Sequence, residues 1–257
     1  MWFKRKPLSK TAATATSADS SGRDSAKPVR SIERPETSLG QRLVFEALAM
    51  GVEYAYASAV SGHVAEFGTM SGATAATLAG AMRDGDHRYR LSEQSHGIGE
   101  RQLYLFDSFQ GFPQTNNAVD AASPHVASNV WGPGVARGLT AEELHETCAA
   151  ILGRDRVKVT PGWYNETLPG FSSDLRFAVV SIDCDLYEST ASVLEYLLGR
   201  QTYSDGCVVF FDDWYCNRGS PLFGEQKAWA DYTAKYKTRF TDWGPYSVVG
   251  RKFILHR

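Results

Sequence analysis

Apolar and polar positions along the chain predict strands and helices in alternation. Five short, largely apolar segments are typical of strands buried on both faces of a sheet. These predicted strands are residues 63–67, 102–106, 156–159, 177–182 and 207–211. Helical patterns separate them, and this alternation favours an α/β fold with a mostly parallel, open sheet and helices on both faces.

The predicted helices cover residues 43–50, 73–82, 140–152, 190–198 and 224–236. Thr140 followed by Glu143 is a capping box, which marks the start of the third of these helices. Near the end of the chain, residues 247–255 alternate as a strand should, with Gly250 as a turn or bulge. A C-terminal antiparallel strand or hairpin is therefore expected beside the parallel strands.

Two polar segments interrupt this pattern, at residues 83–101 and 113–138. Both exceed the ~12–15 residues beyond which structureless loops become uncommon in compact domains, so both are predicted to be lids. Residues 1–37 are rich in Ser, Thr and Ala and are predicted to be a disordered tail, with an organelle transit peptide as the alternative. Residues 38–257 are then expected to form a single domain.

Charge and cysteine content narrow the functional classes. The net charge of −2 is uneven, because residues 1–34 carry eight Lys or Arg and three acids while the remainder carries 19 basic and 26 acidic side chains. An acidic domain without a basic groove argues against nucleic acid as a partner. No apolar run reaches membrane-spanning length, and the four cysteines show no disulfide or zinc spacing, so a cytoplasmic protein with free thiols is expected.

Acidic residues end four of the five predicted strands. They are Glu66, Asp107, Asp183 and the pair Asp212 and Asp213. Ligands bind at the carboxyl ends of parallel strands, although any one carboxylate there is about as well explained as a helix cap. In the first loop, Gly68 and Gly72 indicate close approach of the backbone to a ligand.

The cofactor and the metal are inferred from these strand ends. Asp107 is placed to accept hydrogen bonds from both ribose hydroxyls of a nucleoside, and the absence of GxGxxG favours S-adenosylmethionine over NAD. The carboxylates of Asp183, Asp212 and Asp213 can converge on one cation, and oxygen ligands are the preference of Mg²⁺. A solvated turn at Asp212 and Asp213 is the alternative.

Longer motifs in the same order resemble the macrocin O-methyltransferase family over roughly residues 43–236. The motifs are Glu66-Phe67-Gly68 with Ser71-Gly72, residues 106–113 (FDSFQGFP), 161–169 (PGWYNETLP), 183–190 (DCDLYEST) and 211–214 (FDDW). The resemblance implies a class I, Rossmann-like methyltransferase that uses S-adenosylmethionine and Mg²⁺ to methylate a sugar hydroxyl of a small glycosylated molecule.

The resemblance also implies roles for individual residues. The metal ligands would be Asp183, Asp212 and Asp213. The cofactor contacts would be Glu66, Phe67, Gly68 and Ser71 in the first loop, Asp107 and Ser108 at the ribose, and Trp163 and Asn165 near the adenine. The segment 215–226 is longer than the corresponding segment in the family members that methylate antibiotics, and it is expected to shape the acceptor pocket.

Asp183 is the first candidate for the general base as well as a ligand, and Asp185 is the second, with a helix cap as the alternative role. His125, in the second lid, could reach the site. A homo-oligomer is expected. The rival interpretations are an NAD-dependent sugar-modifying enzyme, a metal-dependent hydrolase and a non-catalytic adenosyl-binding module.

Overall fold

The computed structural model describes residues 37–257, so the predicted tail lies outside the described residues except for Thr37. Seven strands form one sheet in the order β3-β2-β1-β4-β5-β7-β6. They are β1 (His63–Phe67), β2 (Leu103–Asp107), β3 (Val157–Pro161), β4 (Phe177–Ile182), β5 (Tyr203–Phe211), β6 (Arg239–Pro245) and β7 (Arg251–His256). The first five strands are parallel, and β7 pairs antiparallel with β5 and β6. The predicted mostly parallel sheet with a C-terminal hairpin is confirmed.

Helices cover both faces of the sheet, as predicted. They are α1 (Leu39–Ala57), α2 (Ala73–Ser95), α3 (Ala118–Ala121), α4 (Pro124–Ala127), α5 (Ala141–Leu152), α6 (Tyr164–Thr167), α7 (Tyr187–Leu194) and α8 (Gly224–Tyr236). Side chains of α1, α2 and α5 form the core on one face, and those of α7 and α8 form the core on the other. The capping box at Thr140 and Glu143 is present where α5 begins. None of the helices described for residues 37–257 has the length and apolar character needed to cross a bilayer.

Register aligns the ends of the four central parallel strands. Phe67 pairs with Phe106 on one side and with Ile182 on the other, and Ile182 pairs with Phe211. Each of these apolar residues is the last or next-to-last of its strand, and all four are almost completely buried. The residues that follow them therefore lie in a row along the carboxyl edge of the sheet: Gly68, Asp107, Asp183 and Asp212.

The prediction of a structureless insertion at residues 83–101 is wrong, because α2 continues to Ser95. Buried contacts explain the longer helix. The Tyr56 hydroxyl donates to Asp86 at 2.6 Å, and Arg101 Nε donates to Glu93 at 2.7 Å. Arg101 also donates to the carbonyl of Gly62, which precedes β1, so this segment lies at the amino edge of the sheet.

Strand β6 was missing from the sequence-based prediction. It is an edge strand with four exposed residues at its start, and no apolar face therefore marks it in the sequence. Strand β5 also begins earlier than predicted, at Tyr203, because the polar residues Ser204 and Asp205 hid its first half.

Candidate active site

The loop after β1 is held tightly against the loop after β4. Gly68 has φ +89°, and a Cβ there would lie 1.9 Å from the carbonyl oxygen of Asp183. The backbone N–H of Asp183 in turn donates to the carbonyl of Phe67 at 2.9 Å. Glycine at this position is required by the neighbouring backbone, a reason that differs from the ligand contact expected from sequence.

Glu66 and Phe67 are neighbours in β1 and point to opposite faces. The Phe67 ring lies fully in the core and stacks on Phe106 with the ring centroids 4.7 Å apart. Its predicted role as a cofactor contact is therefore limited to the backbone, because packing occupies the side chain. Glu66 is also fully buried. The side chain of Thr74, in the first turn of α2, interacts with its carboxylate, but no described group makes a hydrogen bond of good geometry to either oxygen.

Burial raises the pKa of Glu66 to about 8; the Thr74 side chain acts to lower it, and the nearby charges of Asp107 and Asp212 act to raise it. A buried carboxylate without partners is rare in native proteins and points to a ligand that is not part of the chain. A positively charged group would satisfy Glu66 best.

Asp107 joins two loops of the site. Its Oδ2 accepts from the backbone N–H groups of Thr69 and Met70 and from the Thr69 hydroxyl, and its Oδ1 accepts from the Phe109 N–H at 2.7 Å. Oδ2 is thus saturated, while Oδ1 keeps one free acceptor position. Asp107 can accept from one further hydroxyl but not from two through separate oxygens.

The remaining predicted cofactor contacts lie in the segments that follow β1, β2 and β3. The Ser108 hydroxyl accepts from the Gln110 N–H and donates to the Gly111 carbonyl, which closes the turn after β2. Ser71 is exposed at the start of α2. Trp163 is half-buried immediately before α6, and the exposed Asn165 lines a cleft of about 400 Å³ between α6 and α7.

Three carboxylates meet where β4 and β5 end. One oxygen from each of Asp183, Asp185 and Asp213 lies within 4.8 Å of the other two, a grouping that could hold a metal ion. Asp212 accepts instead from the Tyr246 hydroxyl at 3.0 Å. The structure therefore brings Asp185 into the predicted group and leaves Asp212 beside it.

The helix-cap alternative for Asp185 is wrong. The residue before α7 is Leu186, and the first N–H groups of α7 donate to Asp120, at 2.7 Å for Tyr187 and 3.0 Å for Glu188. Asp185 itself has φ +58°, a strained conformation for a residue with a side chain. Its carboxylate is thereby available to the acidic group.

The close acids perturb one another. Burial raises the pKa of Asp183 well above its ordinary value, and the charges of Asp212 and Asp213 raise it further. Burial also raises the pKa of Asp185 strongly, with Asp213 as the next cause. Burial and Asp213 raise the pKa of Asp212 to about 6. Such repulsion is relieved when a cation binds.

Sequence reasoning missed two residues of this site. Glu225, in the first turn of α8, is buried and accepts from the Asp213 N–H through Oε2 at 2.9 Å. Tyr246, before β7, orients Asp212. Neither belongs to a motif, because both reach the site through tertiary contacts from elements far along the chain.

The segment 113–138 covers the same edge and is fixed at several points. It contains α3 and α4, and Asp120 caps α7 from within it. The amide oxygen of Asn217 accepts from the His125 N–H at 3.1 Å and lies 2.8 Å from the ring Nδ1. The His125 ring stacks on Trp131 at 4.5 Å. His125 thus joins this cover to the loop after β5 and does not contact the acids directly.

Two solved methyltransferase structures share this fold. The O-methyltransferase NovP superposes with a TM-score of 0.62 at 24% identity, covering 84% of this chain and 80% of that chain. CalS11, a calicheamicin methyltransferase, superposes with a TM-score of 0.63 at 21% identity over the same shares. At these identities the likeness defines the fold, which is that of the class I O-methyltransferases.

The family is defined by sequence. Residues 4–239 match the family model described as Macrocin-O-methyltransferase (TylF), and the chain belongs to this family. One relative is the 8-demethyl-8-(2,3-dimethoxy-alpha-L-rhamnosyl)-tetracenomycin-C 4'-O-methyltransferase of Streptomyces olivaceus, 31% identical over 167 residues. That match covers 63% of this chain and 57% of the relative. The chain spans less than three fifths of the length of the curated relatives it matches.

Proposed function

We propose that this protein transfers a methyl group from S-adenosylmethionine to a sugar hydroxyl of a small glycosylated molecule, assisted by Mg²⁺. The observation that carries the proposal is a group of six buried or half-buried acids at the carboxyl edge with no basic side chain among them. Its members are Glu66, Asp183, Asp185, Asp212, Asp213 and Glu225. Among residues 37–257, no Lys, Arg or His pairs with any of them. Ligands that bring positive charge fit this edge.

S-adenosylmethionine carries two such charges, on its sulfonium and its ammonium groups. Glu66, with two unpartnered buried oxygens, fits a cationic group of the cofactor, and the free acceptor position on Asp107 fits one ribose hydroxyl. Gly68, Ser71, Ser108 and Trp163 follow the carboxyl ends of β1, β2 and β3, whereas Asn165 lines the cleft between α6 and α7. An NAD-dependent enzyme would need a cradle for a pyrophosphate, and an acidic edge would repel one.

The group of Asp183, Asp185 and Asp213 fits a divalent cation, with Asp212 next to it. All of its donors are carboxylate oxygens, as Mg²⁺ prefers. When bound, the cation supplies Lewis-acid chemistry that lowers the pKa of a hydroxyl and directs it. These acids occupy the half of the edge formed by β4 and β5, which leaves the β1 and β2 half for the cofactor.

Side chains of the protein would act as the base and exclude water. Asp183 accepts the proton of the acceptor hydroxyl, and the methyl group moves from the sulfonium sulfur to the oxygen in line, leaving a neutral thioether. Asp185 is the second candidate for the base. The cover at 113–138, joined to the loop after β5 through His125 and Asn217, excludes water from the reacting groups.

The proposed class of acceptor, a sugar hydroxyl, is inferred from relatives of this chain. The name of the Streptomyces olivaceus protein gives a rhamnosyl tetracenomycin as its substrate, which supports a sugar hydroxyl. A homo-oligomer and a cytoplasmic location stay predictions. Light scattering of the purified chain tests the former, and microscopy of a tagged chain tests the latter.

Calorimetric titration of the full chain with S-adenosylhomocysteine, NAD and MgCl₂ tests the proposal. We expect S-adenosylhomocysteine and Mg²⁺ to bind and NAD not to bind. Methyl transfer should stop with a chelator and return with Mg²⁺, and Asp183→Asn should lower turnover at least ~100-fold while cofactor affinity changes little. Full turnover in excess chelator would refute the metal, and tight NAD binding without S-adenosylhomocysteine binding would refute the methyl donor.

A further inference from the structure

The amino end of α8 holds both acidic loops of the site. A Cβ on Gly224, which has φ +52°, would lie 2.9 Å from the carbonyl oxygen of Asp185. The next residue, Glu225, accepts from the Asp213 N–H at 2.9 Å. The third, Gln226, donates from Nε2 to the carbonyl of Trp214 at 2.6 Å. Three consecutive residues therefore set where the loops after β4 and β5 lie.

The carboxylate of Glu225 has a second oxygen that the contact with Asp213 does not use. Its Oε2 alone accepts from the Asp213 N–H, and the side chain is 1% exposed. Its Oε1 is buried and has no hydrogen-bond partner among the described residues. An amide side chain would hold the same N–H without adding charge, whereas a buried acceptor left unpaired destabilises the folded state.

The free oxygen lies in an acidic environment. The Glu225 carboxylate contacts the backbone of Asp213, and one carboxylate oxygen of Asp213 lies within 4.8 Å of oxygens of Asp183 and Asp185. No basic side chain of the described residues pairs with it. A fifth carboxylate next to four others is unfavourable for the chain alone and favourable only when positive charge is bound there.

We propose that Glu225 is a positioning residue of the cation site: Oε2 fixes the Asp213 loop, and Oε1 offers charge and a hydrogen-bond acceptor to the cation's hydration shell. This inference rests on the proposed function, since it needs a cation held by Asp183, Asp185 and Asp213. Outer partners of metal ligands commonly change metal affinity by ~10- to 100-fold, so a measurable effect is expected.

The experiment compares Mg²⁺ affinity by calorimetry for the full chain and for Glu225→Gln. Glutamine retains an oxygen for the Asp213 N–H but replaces the free oxygen with a donor. A ~10- to 100-fold loss of Mg²⁺ affinity is expected, with S-adenosylhomocysteine affinity within ~2-fold and a melting temperature in chelator that is unchanged or higher. Asp231→Asn is the matched control, because it removes one negative charge from the partly exposed side of the same helix. That control should change Mg²⁺ affinity less than ~2-fold.

Glu225→Asp separates charge from loop position and also serves if the glutamine variant does not fold. It keeps the carboxylate on a shorter stem, so Mg²⁺ affinity should stay within ~5-fold of the parent. A loss as large as that expected for Glu225→Gln would overturn the inference, because loop position alone would then set affinity. Equal Mg²⁺ affinity in the parent and Glu225→Gln would also overturn it while leaving the proposed function intact. A parent chain that binds S-adenosylhomocysteine but no Mg²⁺ would instead refute the metal in the proposed function.

Discussion

Buried charges at the amino edge of the parallel sheet are paired with opposite charges, whereas the acids at its carboxyl edge are not. At the amino edge, the buried Arg101 pairs with Glu93 and donates to the Gly62 carbonyl at 2.8 Å. Arg156 pairs with Asp86 and donates to the Arg101 carbonyl, so Glu93 and Asp86 each have a cation. At the carboxyl edge, six acids have no cation in the described part of the chain.

This difference separates stability from function. Burying a charge costs free energy unless it is paired and hydrogen-bonded. The charges of the amino edge are paired, and their polar atoms are hydrogen-bonded except for Arg101 Nη2, which lies 2.6 Å from Glu93 Oε1 as an ion pair. At the carboxyl edge several acids accept a hydrogen bond, but none has a cationic partner among the described residues. This lowers the stability of the chain without ligands and leaves the charges available for cationic ligands. Sites that bind or react commonly retain such unfavourable arrangements.

Removing a cation from the amino edge should have the largest effect. Arg101→Met leaves Glu93 buried without its partner, and we expect the free energy of unfolding to fall by ~3–5 kcal/mol. Urea denaturation measures this, and the double variant Arg101→Met with Glu93→Leu should regain most of the loss. If the single variant lost less than ~1 kcal/mol, the pair would not stabilise the amino edge as argued.

Removing an acid from the carboxyl edge should have the opposite sign. The pKa of Glu66 is about 8 in the folded chain and 4.5 as its ordinary value. As pH rises, Glu66 therefore ionises in the unfolded chain before it ionises in the folded chain. Stability should therefore fall as pH rises from 4.5 to 8. Glu66→Gln should make this slope shallower, with the raised pKa values of Asp183, Asp185, Asp212 and Glu225 accounting for the remainder, and should stabilise the ligand-free chain by ~2–4 kcal/mol at pH 8.

Urea denaturation of both proteins at several pH values between 4.5 and 8 measures the Glu66 effect. The same substitution should weaken binding of S-adenosylhomocysteine. A parallel pH dependence for the two proteins would mean that Glu66 is already satisfied within the chain, and the contrast between the edges would lose its main example.

Asp120 refines the comparison, because it is a buried acid of the carboxyl side that has partners. It accepts from two N–H groups at the start of α7, so Asp120→Ala should destabilise the fold by ~1–2 kcal/mol. Asp120→Asn keeps an acceptor and should lose less than half of that. Thermal unfolding of both variants measures the difference. A stabilising Asp120→Ala would mean that location at this edge, rather than lack of partners, sets the sign.

Local patterns in the sequence were enough for most of the fold. Apolar runs located the cores of β1 and β4, and the capping box at Thr140 and Glu143 located the start of α5, because these signals depend on neighbours along the chain. Family membership followed from motifs at the strand ends. The sequence also placed acids within or directly after the last residues of β1, β2, β4 and β5, and the ends of parallel strands share one edge.

Tertiary structure decided which of those acids lie together and what each contacts. The carboxylate of Asp185 lies with those of Asp183 and Asp213 because the Asp185 backbone adopts a left-handed conformation. The carboxylate of Asp212 instead accepts a hydrogen bond from the Tyr246 hydroxyl. Glu225 reaches the site only because α8 docks on both loops. Side-chain direction and long-range docking depend on residues far away in the chain, so no local pattern carries them. The order of the acids is a property of the sequence, and their geometry is a property of the fold.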